Sequence, residues 1–487
     1  MGALSSSEIN ERGAVPLVVD MDGTLILTDS LFEGAVQLWK LDLLLPLKFL
    51  WWLRLGRAGL KREIANRVVL DAEFLPYNEL LIARLREQSG TRSIVLCTAA
   101  DHRFAEAVAA HVGLFDEVIA TLGDVNLKSA AKAKALVDRY GPGGFDYAGN
   151  DASDLKVFAA GRRALIVNPT AALRRRLGQV ANREELNDLS PRPTLQDYLR
   201  ALRAHQWTKN VLVYVPLLAT INTTNLNWLI PATWAMLCFS LVASSGYLLN
   251  DLFDIGADRR HPRKRLRPSA GGNLPHQHTA AMIPLLLIAG FLIASRISER
   301  FAATVLVYLT CTVLYSFRLK RVPVLDTFIL AGLYTIRILA GAVAIDVVPS
   351  VWLISFSMFF FLSLALAKRY SELVEMEGTP QEGTIPSRRY QTEDLGTLVS
   401  QGSSSGYAAV LVFALYIDSP IVRQQYRHPE IIWLICPLVL YWINHLWLNC
   451  VRRRIIDDPV IWALENRVSR WVTALSVVLL LMARLLP

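Results

Sequence analysis

Apolar and polar positions alternate differently in the two halves of this chain. Up to about residue 200, short apolar runs are separated by longer stretches of mixed charge: LVV at 17–19, SIVLC at 93–97, FDYA at 145–148 and ALIV at 164–167. Runs of strand length divided by helical stretches predict a repeated βα pattern, and hence a parallel α/β sheet. From residue 207 onward the apolar runs lengthen and lose their charges. Nine such segments lie at about 210–222, 228–249, 280–296, 301–317, 324–345, 350–367, 405–418, 431–451 and 469–486. They predict an all-α, polytopic membrane domain of about nine transmembrane helices, the first and seventh being short against the roughly 20 residues a bilayer needs. The fold class expected is therefore multi-domain. Residues 1–181 form a sheet domain and 207–487 a membrane domain. Between them, 182–206 hold a polar linker with Pro191 and Pro193, then an amphipathic basic helix suited to the membrane surface (LQDYLRALRAHQW, 195–207).

Composition sharpens this division. Apolar residues make up 53% of the 487 positions and charged residues only 19%, which excludes a disordered, collagen-like or coiled-coil chain. The net charge of +9 does not point to nucleic acid, because the bases concentrate in loops that follow the even-numbered apolar segments. Examples are Arg259 to Arg267, Arg318 to Arg321, Lys368 with Arg369, Arg388 with Arg389, and Arg452 to Arg454. That asymmetry predicts that these loops and the sheet domain face the cytoplasm, at a cell membrane. The five cysteines are far apart, with no CxxC, so neither a disulfide framework nor a structural zinc is expected. The opening MGALSSSEINERG has no apolar core for a secretory signal, although it fits the loose MGxxxS acylation pattern.

Candidate chemistry in the first half sits where strands end. LVVDMDGT at 17–24 reads as a buried strand whose carboxyl end presents Asp20 and Asp22. These residues resemble the haloacid dehalogenase (HAD) superfamily of phosphatases. DMDGT matches its first motif, TAA at 98–100 the second, Lys128 in NLKSAAKAKAL the third with Lys132 in reserve, and AGNDASDL at 148–155 the fourth. The resemblance spans about residues 14–180. It implies a Rossmannoid sheet with a helical cap at about 30–90. Asp20 would be the nucleophile and Asp22 the acid/base, with Thr98 and Lys128 on the phosphate oxygens and Mg2+ held by Asp20, Asp22, Asn150 and Asp154. The fourth motif departs from the family in having Asn150 where Asp is usual. In the cap, LDLLLPLKFLWWLRLG at 41–56 reads either as cap core or as a surface for the bilayer or a lipid chain; Pro46 and the flanking charges argue against a spanning helix.

In the second half, YLLNDLFDIGADRRHPRKRLRP at 247–268 carries the densest chemistry. Asn250, Asp251, Asp254 and Asp258 recur at spacings of three and four, which on a helix gathers them in one sector. Acids so placed repel unless cations bridge them, and magnesium carrying a diphosphate is the expected guest. NDxxDxxxDR resembles the UbiA superfamily of membrane prenyltransferases, over about residues 197–487. Members that use prenyl diphosphate carry a second acidic motif after the sixth span, where this chain has AKRYSEL at 367–373. With DRxHPxKxxRP at 258–268, QWTKN at 206–210 and RRYQTEDL at 388–395, the chain looks most like the decaprenyl-phosphate phosphoribosyltransferase branch.

That resemblance implies transfer of 5-phosphoribosyl from phosphoribosyl diphosphate to a polyprenyl phosphate. Asp251, Asp254 and Asp258 would hold Mg2+, with Asp254 and Asp258 central to catalysis. Asn250, Arg259, Lys264, Arg267, Lys209, Lys368, Arg369 and Tyr390 are the candidates for phosphate binding or loop closure. The HAD domain would hydrolyse a phosphate monoester, with the 5-phosphate of that product as one candidate. A homo-oligomer is compatible with the sequence. The alternatives are a prenyl transfer from prenyl diphosphate to an aromatic or other acceptor, a transporter with a regulatory HAD module, and a scaffold with degenerate sites.

Overall fold

The computed structural model describes residues 15–41, 45–123, 126–186, 193–219, 226–261, 263–376, 389–455 and 458–486. The MGxxxS segment, Asn187 to Arg192 of the expected linker, Pro262 and Arg388 lie outside them. The chain forms two compact units: Met1–Leu202 with Tyr247–Ile283, and Arg203–Gly246 with Pro284–Pro487.

The first unit is built on a six-stranded sheet of β1 (Leu17–Val19), β2 (Ile94–Asp101), β3 (Glu117–Thr121), β4 (Asp146–Gly149), β5 (Arg163–Val167) and β6 (Arg183–Leu186). Every pairing is parallel, in the order β3-β2-β1-β4-β5-β6. Parallel strands covered on both faces read as continuous apolar runs, and the alternation of side chains splits them between two cores. Leu17, Val19, Ile94 and Leu96 pack on one face; Val18, Val95, Cys97 and Tyr147 pack on the other. Around the sheet lie helices α1 (Ser30–Leu41), α2 (Leu45–Trp52), α3 (Gly56–Ala65), α4 (Glu79–Gln88), α5 (His102–Val112), α6 (Ala130–Tyr140) and α7 (Leu155–Ala160). Between β1 and β2, helices α1 to α4 lie within residues 30–88. Of these, α2 has eight residues, too few to span a bilayer, and just beyond it Leu53 and Leu55 are exposed.

The expected linker is partly structured. Residues 183–186 form edge strand β6 beside β5. Thr194 and Asp197 then close a capping box on α8 (Leu195–Ala201). The segment 247–283, expected within the membrane domain, is part of the first unit. Buried polar pairs described below account for that placement.

Eight helices among the described residues are long and apolar enough to cross a membrane. They are α9 (Leu229–Phe253), α11 (His276–Ile297), α12 (Glu299–Phe317), α13 (Leu325–Ala344), α14 (Val351–Met376), α15 (Leu395–Ile417), α16 (Ile435–Val451) and α18 (Arg467–Leu485). The short α10 (Ile255–Arg260) follows α9, and α17 (Pro459–Glu465) precedes α18. The first expected span differs: Ala204–Tyr214 is a 3-10 helix, continued by a five-residue α-helix, Val215–Ala219. In the second unit, α14 packs against α13 and α15 around a core that includes Tyr334, Phe361, Trp442 and Trp447. Arg337 is buried there, with Nε donating to Asn210 Oδ1 at 2.8 Å and Nη2 to the Tyr308 hydroxyl at 2.8 Å.

Candidate functional site

β1 ends at Val19, so the next residues leave the sheet at its carboxyl edge, where α/β proteins bind ligands. Asp20 is buried, and its Oδ1 accepts from Lys132 Nζ at 2.8 Å. The same ammonium donates to the Tyr147 hydroxyl at 2.9 Å and lies 3.7 Å from Asp154 Oδ1. The Tyr147 hydroxyl donates to Asp154 Oδ1 at 3.2 Å. Lys132, the reserve candidate, is therefore the lysine paired with Asp20; Lys128 lines the same cavity without that bond. The buried Thr98 accepts from Ala100 N–H at 3.1 Å.

Asp22 accepts from Ser30 N–H at 2.8 Å and Ser30 Oγ at 3.2 Å. Burial, then the Asp29 charge, push its carboxyl up to about 7 against the pull of the Ser30 bonds. Burial and the Asp20 charge likewise push Asp154 up to about 6. Burial works against the Lys132 charge, yet the Asp20 and Asp154 carboxylates hold its proton more tightly than usual. Gly23 has φ +73°, and a Cβ there would sit 2.2 Å from Asn150 Nδ2. The amide at 150 is thus packed directly against the turn that follows the two aspartates.

These groups border a cavity of about 940 Å3. Arg57 and Lys61 enter from the cap, and Pro275 to His278 come from the later segment. Lys61 donates to Ala99 O and, at 2.9 Å, to Asn126 Oδ1. Burial holds its ammonium below the ordinary lysine value despite Asp22 and Asp29 nearby.

The acidic motif of the second half lies on the same unit. α9 stops at Phe253 and α10 begins at Ile255, so Asp254 sits at a break and not on a continuous helix. Asp251 and Asp258 are buried and share one guanidinium: Arg267 Nη1 donates to Asp258 Oδ2 at 2.5 Å and to Asp251 Oδ1 at 3.2 Å. Burial pushes Asp258 up to about 6 even so. Asp254 Oδ1 is 3.5 Å from Lys40 Nζ. Asn250 is half-buried near the end of α9, and Lys264 is exposed.

Among the described residues no three Asp, Glu, His or Cys side chains converge as a metal site. The ladder expected at 251, 254 and 258, and the set expected at 20, 22, 150 and 154, are each interrupted by cations: Arg267 and Lys40 in one, Lys132 in the other. The donor chemistry still fits magnesium. Asp251 and Asp258 lie within reach of one cationic nitrogen, and Asp20, Asp154 and the Asn150 amide border one cavity; all are hard oxygen donors.

Other expected phosphate contacts are engaged elsewhere. Arg259 Nη2 donates to Glu33 Oε1 at 2.6 Å, Nη1 to Glu33 Oε2 at 3.2 Å and Nε to Ala270 O at 3.0 Å. A buried guanidinium so satisfied is structural. Arg369 is wholly buried on Asp326, Glu372 and Tyr315, and the Tyr390 hydroxyl donates to Asp326 Oδ1 at 2.7 Å. These two tie α14 and the approach to α15 onto α13.

In the second unit, Lys209 and Lys368 converge on one carboxylate. Lys209 Nζ is 2.5 Å and Lys368 Nζ 2.9 Å from Asp458 Oδ2. Asp458 also caps α17 through Val460 N–H at 3.0 Å. Burial opposes its charge, but the Lys368 and Lys209 charges hold its carboxyl far below the usual range. Two ammoniums on one carboxylate leave one positive charge over, suited to an anion. Sequence reasoning missed Asp458, Glu33 and Asp326; each has its cationic partner 43 or more residues away.

The sequence profile of the UbiA prenyltransferase family matches residues 211–464. The chain is 35% identical over 471 residues to a protein of Sinorhizobium fredii called y4nM and described as uncharacterized, covering 95% of this chain and 89% of that one. It is 34% identical to the nodulation protein NoeC of Azorhizobium caulinodans, over 55% of this chain and 87% of that protein. To the decaprenyl-phosphate phosphoribosyltransferase of Mycolicibacterium smegmatis it is 35% identical over 193 residues, 39% of this chain and 61% of that enzyme. A solved UbiA homologue from Archaeoglobus fulgidus, bound to DMAPP and Mg2+, overlays 58% of this chain and 99% of its own at TM-score 0.45 and 16% identity. With more than half of its length matched by that profile, the chain belongs to the UbiA prenyltransferase family.

Proposed function

We propose that this chain is a two-site enzyme of the cytoplasmic membrane that transfers phosphoribosyl to a polyprenyl phosphate and hydrolyses a phosphate monoester, both on the cytoplasmic side. The observation that carries the transferase reading is the clustering of Asp251 and Asp258 on one cationic centre, in a segment that resembles the phosphoribosyl branch of the family. A phosphate oxygen of the lipid attacks C1 of the ribose, the C1–O bond to diphosphate breaks, and diphosphate leaves. Asp251, Asp254 and Asp258 are the residues that would hold magnesium, which when bound supplies charge neutralisation for that leaving group. Arg267 and Lys264 provide further positive charge beside it. Lys209 and Lys368 hold an anionic phosphate, with Asp458 fixing their ammoniums.

The sheet site is read as a HAD-like phosphatase. Asp20 attacks phosphorus. Asp22, whose carboxyl keeps its proton to about pH 7, gives that proton to the departing oxygen and then takes one from the water that cleaves the aspartyl-phosphate. Lys132, Lys128 and Thr98 steady the phosphate oxygens; Asp20, Asp154 and Asn150 are the oxygen donors that would hold magnesium. The substrate that fits the pairing is the 5-phosphate of the lipid product. Prenyl transfer from a prenyl diphosphate is the second reading, favoured by the name of the family.

The test is to incubate purified protein with magnesium, phosphoribosyl diphosphate and polyprenyl phosphate and to weigh the lipid. Wild type should yield the dephosphorylated ribosyl lipid, and Asp20→Asn the lipid still bearing its 5-phosphate. Asp254→Asn should yield neither, yet hydrolyse p-nitrophenyl phosphate. Dephosphorylated lipid from Asp20→Asn would overturn the phosphatase assignment. Product only with prenyl diphosphate would select the second reading.

A further inference from the structure

We propose that α1 is a positioning element of the acidic motif, with Glu33 as its positioning residue, so that the first helix of the sheet domain's cap is a working part of the transferase. This rests on the reading above that Asp251, Asp254 and Asp258 hold the metal and diphosphate. Glu33 and Lys40 are seven residues apart, two turns along one face of α1. Glu33 takes two hydrogen bonds from Arg259, the residue after Asp258, while Lys40 reaches Asp254. Helix α10 has only six residues, so gripping its Arg259 fixes the rotation that aims Asp258.

Glu33 is held in turn. It is 2% exposed. Thr28 Oγ1 donates to its Oε1 at 2.8 Å, and His276 Nδ1 lies 3.0 Å from that hydroxyl and 3.4 Å from the carboxylate. His276 Nε2 faces Ser269 O at 2.8 Å, which only accepts, so that nitrogen carries a proton. The apolar contacts agree. Trp39 meets Phe253 edge-on at 5.0 Å, and Gly272, at φ +78°, lies so close to Leu27 and Pro76 that a Cβ would come within 2.9 and 3.0 Å of theirs. At its other end α1 begins with Ser30, the residue that hydrogen-bonds Asp22. One helix therefore touches both sets of aspartates.

The test uses full-length protein in lipid nanodiscs. Glu33→Gln keeps the shape but removes the charge that holds Arg259. It should lower transfer kcat/KM at least tenfold while p-nitrophenyl phosphate hydrolysis stays within twofold. Mn2+ binding, read by electron paramagnetic resonance in an Asp154→Asn background, should weaken severalfold. Lys40→Met, a half-exposed position, should tighten Mn2+ severalfold by removing a cation 3.5 Å from Asp254. A wild-type chain that transfers neither phosphoribosyl nor prenyl would overturn the reading of the motif. A transferring wild type matched by Glu33→Gln in rate and Mn2+ affinity would overturn the role of α1 alone. If Glu33→Gln loses both activities together, Lys40→Met decides: unchanged Mn2+ affinity overturns the proposal, and tighter binding sustains it.

Discussion

Replacing Lys132 by Met keeps a long, flexible side chain but leaves Asp20 and Asp154 without the ammonium that separates them at 2.8 and 3.7 Å. Lys132 is 2% exposed. Removing one member of a buried ion cluster costs about 3–5 kcal/mol because the other charges stay buried. At ~1.4 kcal/mol per tenfold, that is a fall of roughly 100- to 4,000-fold in protection against amide exchange. Strand β1 is paired on both sides, so deuterium uptake by Leu17–Val19 in the metal-free full chain reports the change. The sign with pH is fixed too. Asp154 already titrates near 6, and without Lys132 it rises further. A carboxyl whose folded pKa is raised carries no penalty below the unfolded value; the penalty grows as pH rises to the folded one. The gap between wild type and Lys132→Met should therefore be wider at pH 8 than at pH 5.5. An equal or narrower gap at pH 8 would refute the claim that Lys132 is the counter-ion of this pair.

Asp146 is buried on Arg92 and Arg162, and although burial alone would raise it, their hydrogen bonds hold its carboxyl below the usual range. Its contribution is therefore present above about pH 4 and is lost as pH falls through the folded value. Asp146→Asn should cost about 2 kcal/mol at neutral pH and flatten the acid limb of a denaturation series. Gly272→Ala combines a positive φ with contacts of 2.9 and 3.0 Å; it should cost ~2–4 kcal/mol, show as faster proteolysis near 261–275, and slow transfer. Asp458→Asn leaves the buried Lys209 and the half-buried Lys368 without their shared carboxylate and should cost about 3 kcal/mol. Lys209→Met leaves the Lys368–Asp458 pair intact, so it should unfold at a temperature near that of wild type yet lose transfer at least tenfold.

The parts of this fold that announced themselves were those whose signal is local. The central strand, whose LVV is buried on both faces, and the DMDGT that follows it are contiguous in sequence. The apolar helices carry their length in plain view. Edge strand β6 did not, because REEL is polar and only Leu186 is buried. Strand β3 carries no clean alternation in EVIAT, and its Glu117 to Ala120 are only half-buried. The choice between Lys128 and Lys132 was undecidable from spacing, since α6 begins at Ala130 and both lie near its start. For Arg259 and Arg369 the sequence shows a base but not the distant acid that engages it in the fold. Glu33 and Asp326 supply that acid from 226 and 43 residues away.

The Glu33–Arg259 bond also sets an order of assembly. The glutamate leaves the ribosome 226 residues before its arginine, an interval of roughly 11–45 s at about 5–20 residues per second. During that time α9 must be threaded into the bilayer before Arg259 can arrive. The cap face around Glu33 stays wet until then. Maturation of the sheet unit is consequently timed by synthesis through residue 259, and a nascent chain stalled before that point would leave this carboxylate without its guanidinium.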